Sequence, residues 1–138
     1  MARSVLAVVT GFLVILVPLN LANLLTFAIM VRTAQSDLPS WFQGLNAAAA
    51  FILSAVGGYV AAILSRRRPV VHASVTGAVI LLLTVLTVSM GRPQWIPRPS
   101  SYGPALLFAL LRFGLTVAGG FLSVLQTSRR ATRIASHA

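Results

Sequence analysis

Residues 5–31 read VLAVVTGFLVILVPLNLANLLTFAIMV, a run without a single charged side chain. About 20 apolar residues in a helix cover the roughly 30 Å of a bilayer's hydrocarbon core, so this run is long enough to cross it. Working outward, the stretches from Leu38 to Ser65 and from Pro69 to Gly91 are also free of charge. The segment from about Pro104 to Leu125 is as apolar but contains Arg112. These gaps predict four spans over 5–31, 44–64, 72–90 and 104–125, followed by a basic tail over 126–138, all in one membrane domain covering 1–138. Inside lipid every backbone N–H needs a partner, and the alternating pattern of a barrel is absent, which leaves helices. The expected fold is an all-α, four-transmembrane-helix bundle.

Composition excludes the other classes. Of the 138 residues 57% are hydrophobic and 9% are charged, against about 25% charged in a soluble domain. Such hydrophobicity also rules out a disordered chain. The formal charge is +10, from eleven Arg and one acidic residue, Asp37. A strongly basic chain invites a nucleic-acid reading, but these Arg residues punctuate long apolar runs and build no continuous basic face. Without Cys there are no disulfides and no thiolate metal sites. The N-terminal apolar run is much longer than a 7–15-residue signal core, so it is read as a retained first helix.

Arg placement predicts orientation. Arg3, the Arg66-Arg67-Arg68 turn, and Arg129, Arg130 and Arg133 fall on one side; Arg32, Arg92 and Arg98 fall on the other, with Asp37. Seven against three puts both termini in the cytoplasm. Trp41, Phe42, Trp95 and Tyr102 would then lie in the two outer loops at headgroup level. The Arg-rich turn and tail would also attract anionic lipid, by about 1 kcal/mol per residue near the surface.

Two landmarks recur in order. Val9-Thr10-Gly11 opens span one as Val75-Thr76-Gly77 opens span three, and Gly57-Gly58-Tyr59 near the end of span two matches Gly119-Gly120-Phe121 in span four. This predicts duplicated helical hairpins related as a parallel repeat. Gly11, Gly57, Gly58, Gly77, Gly119 and Gly120 are expected at helix contacts, because in lipid small residues allow the close approach that holds helices together. Ala50, Ser54, Gly58 and Ala62 form a stripe on span two, as Arg112, Thr116, Gly119, Gly120 and Ser123 do on span four.

Arg112 is the unusual residue. It lies about 12 Å inside its span at 1.5 Å per residue, where an arginine costs about 2.5–3.5 kcal/mol to insert. Its side chain either snorkels toward the nearer headgroups or faces inward. An inward Arg112 would meet Asn20, Asn23 and Thr26 of span one, outlining a polar pocket with Gln43 and Asn46 at its mouth and Asp37 within reach. Such a pocket would suit an anion or a lipid headgroup. Pro18 would free the Val14 carbonyl nearby. His72 and His137 are read as interfacial polar residues without a special role.

No metal-binding His/Asp/Glu cluster, catalytic triad or phosphate loop is present. The expectation is a non-enzymatic protein that needs no cofactor. It would act as an accessory or scaffold subunit packing through Gly/Ala stripes, as a homo-oligomer or within a larger membrane complex, without nucleic acid. The alternative is a minimal oligomeric transporter or channel with the outward polar pocket.

Gly57-Gly58-Tyr59-Val60-Ala61-Ala62, then Arg66-Arg67-Arg68-Pro69, His72-Ala73 and Gly77, resembles a pattern in small bacterial four-helix membrane proteins of unknown function. The resemblance implies a multi-pass protein of the bacterial inner membrane and no particular chemistry.

Overall fold

The computed structural model describes residues 2–33, 40–65, 68–89 and 103–135, and all but Arg68 are helical. The helices are α1 (Ala2–Thr33), α2 (Ser40–Ser65), α3 (Pro69–Ser89) and α4 (Gly103–Ala135). Each contains a stretch long and apolar enough to cross a membrane: Ser4–Arg32, Gly44–Ser65, Pro69–Thr87 and Gly103–Arg129. Among its described residues the protein is all-helical, with four candidate membrane spans.

Helix ends differ from the charge-gap reading for local reasons. Pro69 starts α3, where its missing N–H would be unpaired in any case. The Arg68 carbonyl accepts the His72 backbone N–H at 3.2 Å and the His72 ring Nδ1–H at 2.8 Å, closing the first turn. Trp41 and Phe42 belong to the first turn of α2 rather than to a loop, in edge contact at 5.7 Å. The expected basic tail is helical as far as Ala135. No Gly or Pro interrupts residues 126–135, and Thr127 and Ser128 donate to carbonyls of the preceding turn. α1 continues as helix through Pro18.

The interior is small and hydroxylated while the exterior is large and apolar. Ala7, Ala50, Ala61, Ala62, Ala73 and Ala109 are buried, as are Ser54, Thr76, Thr116 and Ser123. Leu6, Leu24, Ile52 and Leu107 are each at least 60% exposed. Large apolar side chains facing outward all round the bundle are what lipid as the surrounding solvent requires. Buried hydroxyls donate to their own helix, Ser54 to Ala50 at 2.7 Å and Thr76 to His72 at 2.9 Å, and so need no water.

All six expected packing glycines stand at helix contacts. A Cβ on Gly11 would lie 2.7 Å from Ala61 Cβ, and one on Gly57 would strike Ile15. Gly58 faces the Thr116 backbone, and Gly119 faces the Ala55 carbonyl. Gly77 approaches Phe113, and a Cβ on Gly120 would lie 2.5 Å from Ala73 Cβ. These contacts run α1 antiparallel to α2, α3 antiparallel to α4, and α2 parallel to α4, so α1 begins and α4 ends at one end of the bundle.

Helix packing does not follow the sequence repeat. The backbones of α2 and α3 approach closely, whereas those of α1 and α4 do not among the described residues. A two-fold axis relating the hairpins would make those two pairings equal. The matched glycines also face different neighbours, Gly57 toward α1 and Gly119 toward α2.

Candidate functional site

Along the parallel α2–α4 seam, Ser54 meets Arg112, Gly58 meets Thr116 and Ala62 lies beside Gly120. The pairs advance together by four residues, so each turn of one helix meets the equivalent turn of the other. Arg112 is thereby held inside the bundle, only 8% exposed. It is not stretched out along the lipid surface.

Its Nε donates to Ser54 Oγ at 3.1 Å, and that hydroxyl in turn donates to the Ala50 carbonyl. One turn on, Thr116 Oγ1 donates to the Arg112 carbonyl at 2.8 Å. No buried side-chain nitrogen or oxygen among the described residues lacks a partner. Nε is the one guanidinium nitrogen bonded to them. The two Nη groups therefore reach open volume.

A cleft of 120 Å³ lies between α1 and α3, with Arg112 in its lining. Phe12, Ile15, Leu16 and Leu19 form one wall, and Ile80 and Leu83 the other. Leu16 and Leu83 are 38% and 41% exposed, so the cleft opens sideways at mid-helix. Thr84 and Thr87 also line it; both hydroxyls donate to their own helix, leaving their oxygens as acceptors. No described helix carries a carboxylate, since Asp37, the sole acidic residue of the chain, lies outside the described residues. Arg112 thus lines a largely apolar cleft, with no carboxylate on any described helix.

The expected companions of Arg112 lie elsewhere. Asn23 Oδ1 accepts from Asn46 Nδ2 at 3.3 Å, across α1 and α2. Asn20 is exposed and donates to its own Leu16 carbonyl at 2.8 Å, and Thr26 donates to Ala22 at 2.8 Å. None of the three lines the Arg112 cleft. Residue counting predicts a common depth with Arg112, but α1 and α4 make no close backbone approach among the described residues, and the polar partner comes from α2. Ser54 was visible in the sequence as a member of the small-residue stripe, at the same spacing as Arg112.

Arg68 and Arg129 are exposed near the end where α2 stops and α3 begins. Beside them is a second cavity of 490 Å³, with Ala62, Pro69, Ser123 and Thr127 in its walls. Asp37, Arg66 and Arg67, His137 and the side chains of Gln43 and Arg130 lie outside the described residues. Set against known proteins, the chain matches no family model, no curated protein and no solved structure, so this arrangement is read from its own residues.

Proposed function

We propose that this is a small, non-enzymatic accessory subunit that docks on a transmembrane helix of another membrane protein through the exposed face of α1. The sequence predicts docking through the Gly/Ala stripes. Those glycines are occupied inside the bundle, which directs attention to α1. The observation that carries the proposal is Asn20, an exposed amide near the middle of a 29-residue apolar span. Its Nδ2 bonds to the Leu16 carbonyl, while its carbonyl oxygen remains on the lipid-facing surface to accept from a neighbour. Polar side chains in this setting join helices across an interface. Around it Leu21, Leu24, Leu25 and Phe27 are all more than half exposed.

The same proposal places the protein in a bacterial inner membrane with both termini in the cytoplasm, from the seven-to-three Arg bias. Kinship with the small four-helix proteins it resembles belongs to this reading too. So does contact of the Arg-rich end with anionic lipid.

The test is site-specific photo-crosslinking in intact cells, with the reactive residue at position 24 on α1 or, as a control, at position 125 on α4. A discrete adduct from position 24 that vanishes in Asn20→Leu is expected. Lipid adducts alone from both positions would refute docking. An adduct of twice the chain's own mass would replace an accessory role with self-assembly.

A further inference from the structure

We propose that the Arg112 cleft binds the head of an anionic amphiphile: a carboxylate or phosphate on Arg112, with its hydrocarbon tail leaving between α1 and α3. Three observations converge on this chemistry. The first is an unmet charge. Arg112 is buried, bonds one neutral hydroxyl through Nε, and has no carboxylate on any described helix. Its two Nη groups present a planar fork, the geometry that grips carboxylate and phosphate oxygens in pairs. The missing negative charge has to come from outside the helices.

The second is the nature of the walls. Phe12, Leu16, Leu19 and Leu83 offer only carbon to the cleft. A bare inorganic ion would lose its hydration there and gain one cationic partner, whereas a tailed anion brings hydrocarbon to meet hydrocarbon. The third is the opening. The cleft faces the lipid side through half-exposed Leu16 and Leu83, so a ligand enters from the bilayer and its tail stays there. Its 120 Å³ suits a compact head and the first few methylenes, not an entire lipid. Thr84 and Thr87 supply acceptor oxygens along α3 for a hydroxyl on the head.

Asn20 itself does not line the cleft.

The test uses the full chain, purified in mild detergent and stripped of co-purified lipid. Native mass spectrometry and thermal melting are run with sodium oleate, oleyl alcohol, dioleoyl phosphatidylglycerol and dioleoyl phosphatidylcholine. One equivalent of oleate or of the phosphatidylglycerol is expected to bind and to raise the melting temperature. Its tail-matched neutral or zwitterionic counterpart should bind about tenfold more weakly or worse. Oleate alone identifies a single-chain ligand, and phosphatidylglycerol identifies a phospholipid. Arg112→Met should abolish the preference for the charged head. Leu83→Trp should fill the mouth and weaken binding with Arg112 untouched. The first variant keeps volume and the second keeps charge, so either reports even where the other fails to fold. Equal binding of tail-matched neutral probes would overturn the proposal, as would an Arg112→Met protein that keeps its preference. Protection by sodium chloride equal to that by oleate would reduce the site to an inorganic-anion site and overturn it as well.

Discussion

The carbonyl of Thr116 occupies the place where a Cβ at position 58 would stand. Glycine at 58 is therefore what lets the backbones of α2 and α4 meet, and Gly119 against Ala55 repeats the arrangement from the other helix. Because the obstructing atoms are backbone, no rotamer change relieves them. The helices must separate or the side chain must be absent.

Gly58→Ala and Gly119→Ala should each destabilise the protein by about 1–3 kcal/mol, the range for forced overpacking. Gly114 sits on the same helix with nothing within 4 Å of its would-be Cβ. Gly114→Ala should leave stability unchanged or raise it by up to about 1 kcal/mol, as helix propensity favours alanine. Thermal melting in one detergent compares all three. Equal behaviour at positions 58 and 114 would remove the seam from the account.

Arg112 predicts an asymmetry between two truncations. Arg112→Met removes a buried charge that no helical carboxylate balances and keeps most of the volume. It should cost nothing and gain up to about 2 kcal/mol, as replacing buried charge with packed carbon often does. Arg112→Ala leaves a void between α1 and α3 and should fall below the Met variant by about 2 kcal/mol or more. A Met variant far less stable than wild type would mean that the charge holds the bundle together.

Tyr59 and Gln126 join α2 to α4 through a hydrogen bond between their side-chain tips. In a double-mutant cycle of Tyr59→Phe and Gln126→Leu, a coupling of about 0.5–1.5 kcal/mol is expected in detergent unfolding. Strict additivity would show that the bond contributes nothing.

Ser65 and Ser128 lie at one end of the bundle, Gly44 toward the other. Single cysteines are readable because the chain has none of its own. At positions 65 and 128 they should react with an impermeant thiol reagent only in inside-out vesicles, and one at position 44 only in intact cells. Labelling of 65 and 128 from opposite sides would contradict the four-span topology.

The four helices were legible in the sequence because lipid allows little else. A charge-free run of bilayer length must form its own hydrogen bonds, and residues 5–31 announce this without further context. The glycines were legible for a related reason, since a glycine inside a helix costs stability unless close approach repays it. Arg112 was half legible. Its depth follows from counting residues, but its direction depends on which helix stands beside α4, and spacing along one helix does not say. Counting residues gives Asn20, Asn23 and Arg112 a common depth, yet α1 and α4 make no close backbone approach among the described residues. Ser54 is the true partner, and its place in a stripe that keeps step with Arg112 was the available signal. The helical course of residues 126–135 was hidden because their charge resembles that of a solvated tail.

The seam between α2 and α4 is the central claim, and an introduced disulfide tests it most directly. A Cβ built on Gly120 lies 3.9 Å from Ala62 Cβ, within the roughly 3.5–4.5 Å that a disulfide spans. The variant is Ala62→Cys with Gly120→Cys, plus Ala73→Gly to clear the one close neighbour. Oxidation in native membranes should yield a fast-migrating, reducible monomer in most of the protein, while pairing position 62 with position 110 should yield none. Free thiols after oxidation, or disulfide-linked dimers in place of the monomer, would contradict the bundle described above.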